Sequence, residues 1–125
     1  MPINVGDTFL LSETIYDKMH LHIVLKIEDD ILIAINITKQ LPKSNPGRNC
    51  IVHKEDHSWL VEDSYANISG IKKLKKSIIE KDIEDRIIPT RGSASSEFIA
   101  KLISFCDKYK SVIPKPSKEI LFPQS

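Results

Sequence analysis

The first half of the chain alternates between short apolar runs and polar turns. The runs are rich in β-branched residues, which is typical of strands. They predict five strands, at residues 8–12, 20–27, 31–37, 50–53 and 65–71. The third run is apolar almost throughout, which predicts burial on both of its faces. Several short strands joined by hairpin-sized turns indicate a small β-barrel or a strongly bent sheet.

Turn residues separate these runs. Gly6 with Asp7 predicts a turn that opens the fold, and Asp29-Asp30 predicts a tight polar turn between the second and third strands. Residues 13–18 are expected to form a loop. Residues 39–49 contain two prolines and a glycine and predict a longer loop. Long loops in compact domains are often functional.

The second half of the chain predicts helices. Residues 74–88 have apolar positions at an approximate helical spacing, which predicts a short helix or a last strand that leads into one. Residues 90–93 are expected to be a break in regular structure. Ser93 or Ser95 can then cap a helix that extends to about Tyr109.

The end of the chain predicts a different conformation. Residues 113–125 contain three prolines, which predict an extended tail on the domain surface. The expected fold is therefore mainly β (α+β), with a C-terminal helix and an extended proline-containing tail. We expect a single domain over residues 1–125, with a barrel at about 1–72 and a helical part at about 73–112.

Composition and net charge indicate a globular protein without a charge-driven partner. With 41% hydrophobic and 28% charged residues the chain is typical of a globular protein. Its 18 basic and 17 acidic residues give a net charge of +1, so no global field indicates nucleic acid or membrane. The lysine-rich residues 71–76 can contact phosphate, but a solvated face of an amphipathic element is favoured.

Cysteine usage and the N-terminus bear on location. Cys50 and Cys106 lie far apart and form no CxxC unit. The N-terminus lacks the basic region and apolar core of a signal peptide, and no run approaches the length of a membrane span. These features predict a cytoplasmic protein with reduced thiols and no membrane partner.

Candidate chemistry is concentrated in residues 50–65. This stretch holds a thiol, two imidazoles, several carboxylates and the single tryptophan. His20 and His22 lie two apart on the second predicted strand, so both side chains are expected on one face. We hypothesise that they act with His57 as general acid and base on a phosphodiester. The alternative is a pair of half-exposed structural histidines.

Cys50, His53 and His57 also allow two other hypotheses. Thiolate and imidazole are zinc ligands, but a zinc site normally needs four, so a metal-free structure is favoured. Cys50 with a histidine is a possible nucleophile pair. Cys50 and His53 are expected on opposite strand faces, and a buried structural thiol is favoured. No motif for a nucleotide or other cofactor is present, and we expect none.

Further residues are candidates for substrate contact. Trp59 can stack on an unpaired base, although closing the end of the core is the alternative. The long loop offers Lys39, Lys43 and Arg48 as phosphate contacts, with solvation of the loop as the other interpretation. Ser64 follows His57 closely, but no Ser-His-Asp triad is supported, and a hydrogen-bonded turn that holds Trp59 is the simpler expectation.

Several short motifs resemble the PemK/MazF-like toxins. Gly6-Asp7 is similar to the glycine-acid pair that opens the first strand of that family. Residues 20–25 lie where the family has an Arg-Pro before an apolar strand, and residues 35–38 resemble its third strand, which ends in a threonine. Ser64 precedes a strand and Ile71 as a family serine does. The resemblance covers roughly residues 5–80.

The resemblance implies an SH3-like β-barrel and a metal-independent endoribonuclease that acts on single-stranded RNA. Members are often homodimers, and an antitoxin protein occupies their RNA groove. Thr38 matches the family threonine, and the resemblance implies a catalytic role for it. His20 occupies the position nearest to the family's catalytic arginine, which has no arginine counterpart here. The missing arginine supports an alternative, a non-catalytic SH3-like module that binds a protein or peptide.

Overall fold

A computed structural model describes residues 2–12, 19–39 and 50–124 of the chain. This part of the protein contains seven strands and three α-helices. In chain order they are β1 (Asp7–Leu11), β2 (His20–Glu28), β3 (Ile31–Thr38), β4 (Ile51–Val52), β5 (Ser64–Ala66), β6 (Lys72–Lys75), α1 (Lys76–Glu84), β7 (Thr90–Ser93), α2 (Ser96–Lys108) and α3 (Lys115–Leu121). Three short 3-10 turns cover residues 54–56, 68–70 and 110–112.

The strands form one antiparallel sheet that curls into a half-barrel. The strand order is β4-β5-β3-β2-β1-β7. Strands β5 and β6 pair in succession with the same edge of β3: Tyr65 lies opposite Thr38 near the end of β3, and Leu74 lies opposite Leu32 near its start. The prediction of a mainly β α+β fold built on a bent sheet is therefore confirmed.

Both faces of β3 are buried, as its apolar run predicts. Residues 32–37 are all buried, and the side chains of residues 32–35 alternate between two apolar clusters. The larger cluster, which we call the helix core, includes Ile33, Ile35 and Ile37 and packs against α2 and α3. The smaller cluster, the α1 core, includes Leu32 and Ala34 and packs against α1.

The predicted turns are present. Gly6 has a φ of 94°, which a residue with a side chain adopts only at a cost, and it leads directly into β1. Asp29 has a φ of 52° in the two-residue turn between β2 and β3, where aspartate tolerates the left-handed region. Strands β1 to β3 lie within a residue or two of their predicted positions.

Residues 90–93, predicted to be a break, form strand β7 at the edge of the sheet beside β1. Asp7 lies opposite Ser93, and the Ser93 hydroxyl donates to the Asp7 carboxylate at 3.0 Å. The Thr8 hydroxyl donates to the Gly92 carbonyl at 2.8 Å. The prediction of a break rests on Gly92, which is a local signal for a turn. Strand formation depends on pairing with β1, which lies more than eighty residues away in the sequence.

The structure agrees with the helices predicted within residues 74–88 and after Ser95. Of the two alternatives for residues 74–88, a strand that leads into a helix is correct, since β6 runs directly into α1. Ser95 is the N-cap of α2, and its hydroxyl accepts the Phe98 amide at 3.1 Å. The predicted strand at residues 65–71 is shorter than expected, because a 3-10 turn replaces its second half.

The extended tail is wrong, since residues 115–121 form helix α3. Pro114 is the N-cap and Pro116 lies in the first turn, where a residue without an amide hydrogen loses no helical hydrogen bond. Leu121 packs into the helix core. The Ser117 hydroxyl donates to the Ile71 carbonyl at 3.3 Å, which fixes the helix to the sheet. Among the described helices, none combines the length and apolar character needed to cross a membrane.

Candidate functional site

A pocket of about 620 Å³ lies at one end of the sheet, where β2 begins and β3 ends. We call it the sheet-end pocket. Its walls come from three segments: the start of β2, the end of β3 and the chain that leads into β5. The lining residues are Met19, His20, Leu21, Ile37, Thr38, Lys39, Trp59, Leu60, Val61, Glu62 and Ser64.

Five of the side chains predicted from the sequence line this pocket. They supply an imidazole, two hydroxyls, an ammonium and an indole, on His20, Thr38, Ser64, Lys39 and Trp59. Lys43 and Arg48, the other two predicted substrate contacts, lie outside the described residues. Trp59 lines the pocket and is 38% exposed, so part of its indole is accessible to a ligand.

Strand pairing explains why these residues meet. His20 is the first residue of β2 and Thr38 the last of β3, and antiparallel pairing of the two strands brings these ends together. Strand β5 pairs with the end of β3. The chain that enters β5, residues 59–63, must therefore pass beside the same end of the sheet.

Residues 53–63 are fixed by two carboxylates. Asp63 accepts the Lys54 amide at 3.0 Å and contacts the His53 ring at 3.4 Å. These hydrogen bonds lower the pKa of Asp63. The two contacts join the ends of the segment, so the predicted hydrogen-bonded turn around Trp59 is confirmed.

Asp56 ties the same segment to helix α2. Its carboxylate accepts the His53 amide at 2.9 Å and the Lys101 ammonium at 2.7 Å. Burial acts to raise the pKa of Asp56, but the hydrogen bonds from Lys101 and His53 outweigh it and hold the pKa below the ordinary value of 3.8. The ionised carboxylate is thus the form that the fold favours.

Charge at the pocket is carried by a pair of opposite sign. The Lys39 ammonium lies 3.5 Å from the Glu62 carboxylate, and both side chains are more than half exposed. Exposed pairs of this kind contribute roughly 0–1 kcal/mol because water screens them. A ligand with its own charge can therefore replace either partner at little cost.

His22 lies deeper than His20 and does not line the pocket. It is completely buried and stacks on Phe9, with ring centroids 5.8 Å apart and planes 6° from parallel. The Lys72 ammonium lies 3.0 Å from its Nε2, and its Nδ1 lies 2.9 Å from the His20 carbonyl. An ammonium can only donate, so Nε2 accepts and Nδ1 carries the hydrogen. This arrangement indicates a neutral structural imidazole.

His57 is also buried away from the pocket, at 5% exposure. Its ring is tilted against Phe98, with centroids 6.4 Å apart, and its Nδ1 accepts the Trp59 amide at 3.0 Å. Burial lowers the pKa of His57 from its ordinary value of 6.5. Neither His22 nor His57 can therefore reach a ligand in the pocket directly, which leaves the catalytic roles predicted for them without support from this geometry.

The residues of the zinc and thiol hypotheses are separated. Cys50 is buried in the helix core while His53 is exposed, as the predicted alternation of strand faces requires. Burial raises the pKa of Cys50, and raises that of Cys106 to about 12, so neither thiol is activated as a nucleophile. Within the described ranges no three His, Cys, Asp or Glu side chains cluster in a way that could hold a metal ion.

Sequence reasoning missed the apolar rim of the pocket and its carboxylate. Val61 is 76% exposed and Met19 is 49% exposed, and both line the pocket with Glu62. Val61 belongs to an apolar patch in the sequence, but only the three-dimensional path of the chain shows that it faces solvent. A comparison with protein-family models and with curated proteins finds no match for this chain.

Proposed function

We propose that this protein binds single-stranded RNA in the sheet-end pocket and cleaves it without a metal. The observation that carries the proposal is the gathering of His20, Thr38, Lys39 and Trp59 around one pocket. These groups offer a proton-transfer agent, a hydrogen-bonding hydroxyl, a positive charge and a stacking surface. An unpaired nucleotide presents matching groups, namely a 2′-hydroxyl, a phosphate and a base.

The reaction we propose is transesterification. The 2′-hydroxyl of one nucleotide attacks the adjacent phosphorus, the bond from phosphorus to the 5′-oxygen breaks, and a 2′,3′-cyclic phosphate remains. One proton leaves the 2′-hydroxyl and one reaches the departing oxygen. His20 is the histidine that lines the pocket among the described residues, and its imidazole is assigned to this proton transfer.

The other pocket residues bind and orient the RNA. Lys39 exchanges its exposed contact with Glu62 for a phosphate and offsets charge that develops there. Trp59 stacks on a base, a contact worth about 1–3 kcal/mol per base. Thr38 and Ser64 lie at the pocket wall beside these groups.

The proposal includes a relationship to the PemK/MazF-like toxins, with an SH3-like barrel, a homodimer and an antitoxin that covers the pocket. Support comes from the placement of Thr38, which matches the family threonine, and of His20, which lies nearest to the position of the family's arginine; both line one pocket on neighbouring strand ends. The curled sheet with the 3-10 turn between β5 and β6 is compatible with such a barrel.

The test is incubation of a long single-stranded RNA with purified protein in EDTA, followed by a denaturing gel. We expect discrete fragments with cyclic phosphate ends from the wild type. His20→Gln should abolish cleavage, whereas His53→Gln, a matched change at an exposed histidine outside the pocket, should not. DNA of the same sequence should remain intact because it lacks the 2′-hydroxyl. Cleavage that needs a divalent metal, or equal cleavage of DNA, would contradict the proposal.

A second candidate is a non-catalytic module that binds a protein or peptide. The exposed apolar side chains of Met19 and Val61 at the pocket rim favour it, because such a rim suits an apolar segment of a partner. The same RNA assay distinguishes the two candidates. Cleavage by the wild type that is lost in a folded His20→Gln variant supports the ribonuclease. Intact RNA after incubation with the folded wild type supports the module.

A further inference from the structure

A buried ring contacts the segment that forms one wall of the sheet-end pocket, in addition to the Asp56 and Asp63 carboxylates that fix residues 53–63. The amide of Trp59 donates to Nδ1 of His57 at 3.0 Å, and the amide of Leu60 donates to the His57 carbonyl at 3.0 Å. Trp59 and Leu60 both line the pocket, but His57 does not. His57 therefore contacts the wall from behind, on the side of the helix core.

The hydrogen bond fixes the protonation state of the ring. Nδ1 accepts from an amide, so it carries no hydrogen, and the hydrogen of the neutral ring is on Nε2. Nε2 is buried and has no hydrogen-bond partner among the described residues. A polar group left without a partner in the core costs roughly 1–3 kcal/mol. A well-packed apolar residue would avoid that cost, which indicates that the Nδ1 contact is the reason for a histidine here.

We propose that His57 is a positioning residue that holds the Trp59 wall of the pocket through Nδ1, and that protonation of this ring releases the wall. A protonated imidazole has two N–H donors, so Nδ1 would then face the Trp59 amide as donor against donor. The added charge would also lie against Phe98, where nothing described accepts a hydrogen bond from Nε2. Protonation therefore removes the bond from the Trp59 amide to the ring, while the Leu60 amide keeps its bond to the backbone carbonyl of His57.

Other titratable groups around His57 do not offset this effect. They are Asp56 before it, Lys101 and Cys106 on α2, and Cys50 before β4. Asp56 and Lys101 neutralise each other in their 2.7 Å contact, and both thiols are buried with raised pKa values. Burial is the cause of the lowered pKa of His57.

The lowered pKa of His57 determines how the wall depends on pH. The folded-state pKa of His57 lies below 6.5, so the wall is fully held above that pH and is lost progressively as pH falls below it. Asp56 and Asp63 have pKa values below 3.8, so these anchors stay ionised over the same range. Mild acid therefore tests the histidine without releasing the rest of the segment.

Trp59 is the single tryptophan of the chain, so its fluorescence reports on the wall directly. The experiment compares wild type, His57→Asn and His57→Leu between about pH 7.5 and about pH 4, which stays above the range in which Asp56 and Asp63 become protonated. Asparagine keeps an acceptor oxygen that can bond the amide two residues on, but it does not titrate. All three proteins carry His20→Gln, which removes the pocket imidazole as a second influence on the indole, so the reference protein is wild type at position 57 only.

In the protein that retains His57, we expect the Trp59 emission to move to longer wavelength as pH falls. The midpoint of this change should equal the midpoint of the His57 titration followed by NMR. His57→Asn should show no shift, and His57→Leu should be shifted at every pH. A shift in His57→Asn that equals that of wild type would overturn the proposal. So would an emission that stays constant while His57 titrates.

A measurement on the wild type alone covers the case in which a variant fails to fold. The nitrogen NMR spectrum of His57 at neutral pH should show the tautomer with hydrogen on Nε2, and the opposite tautomer would overturn the proposal. Control substitution of exposed His53 by glutamine should change neither readout. These measurements use no RNA, so their failure is distinct from failure of the proposed ribonuclease.

His57 should also affect RNA binding, an expectation that rests on the proposed function. If the pocket binds RNA, loss of one hydrogen bond of about 1 kcal/mol should lower affinity for a 2′-O-methyl oligonucleotide by roughly fivefold. We expect that drop on acidification in wild type but not in His57→Asn. Binding that falls equally in both proteins would contradict the role of His57, whereas no binding at neutral pH would contradict the proposed function and leave the wall mechanism intact.

Discussion

At its turn end the β2–β3 hairpin is covered by a helix, whereas at its open end the same two strands line the sheet-end pocket. Leu32 near the turn is completely buried in the α1 core, together with Ile79 of α1. Six residues further along the same strand, Thr38 lies at the pocket wall. The difference shows that one hairpin provides stability at one end and accessible polar groups at the other.

Several contacts at the turn end hold the start of α1 against the hairpin. Asp30 accepts the Ser77 amide and hydroxyl at 3.0 and 2.8 Å, and its carbonyl accepts the Lys76 amide at 2.8 Å. Contacts at the open end instead fix a loop segment, through Asp56 and Asp63, and leave Trp59 partly exposed. Changes at the first end should therefore lower stability, and changes in the pocket should alter binding.

The largest effect is expected from Leu32→Ala. Removing this side chain from the α1 core leaves a cavity and should lower the free energy of unfolding by about 2–5 kcal/mol. Urea denaturation measures the change. Ile78→Ala, which truncates an exposed residue on α1, serves as the control and should stay within about 0.5 kcal/mol of wild type. Equal losses in the two variants would show that the turn end is not the packed end.

A smaller loss is expected from Asp30→Ala. The substitution removes the carboxylate that bonds Ser77 at the start of α1, which should cost about 1–2 kcal/mol. Glu28→Ala, at an exposed position of the same hairpin, is the control. Hydrogen exchange in α1 should increase in the first variant alone, and an unchanged exchange pattern would refute the role of Asp30.

Acid should loosen the open end of the hairpin and the loop beside it before the turn end unfolds. The pKa values of Asp56 and Asp63 are lowered in the fold, so their stabilisation is present above pH 3.8 and is lost as pH falls through the lower folded-state values. Amide protection factors, which correct for the pH dependence of intrinsic exchange, should fall first in residues 53–63 as pH is lowered. Lys101→Met should move this loss of protection to higher pH, whereas Lys108→Met should not.

The smallest effect on stability is expected from Lys39→Ala. Its contact with Glu62 is exposed and screened, so the free energy of unfolding should change by less than about 0.5 kcal/mol. Affinity for a single-stranded oligonucleotide should nevertheless fall, and the fall should shrink at high salt. A variant that unfolds more easily but binds normally would reverse the assignment of the two ends.

Local signals were enough to predict the central hairpin. Asp29-Asp30 and the apolar run of β3 predict the turn and the two-sided burial, and Ser95 predicts the start of α2. Non-local pairing was not predictable: residues 90–93 become a strand only because β1 lies beside them. Pro116 was taken as a helix breaker, although the first turn of a helix accepts proline.

Prediction of the site had a similar limit. His20 and His22 were treated alike because strand alternation places both on one face. Their positions along β2 make them different: His20 begins the strand and lines the pocket, whereas His22, two residues further on, is buried between Phe9 and Lys72. Glu62 was missed because its approach to Lys39 depends on how β5 pairs with β3.

The most direct test of the pocket is an NMR titration with a 2′-O-methyl single-stranded oligonucleotide, which cannot be cleaved. We expect the largest amide shifts in residues 19–21, 37–39 and 59–64, and we expect Trp59→Leu to abolish them. Shifts confined to the lysine-rich residues 72–76, with the pocket unchanged, would contradict the claim that RNA binds at the open end of the sheet.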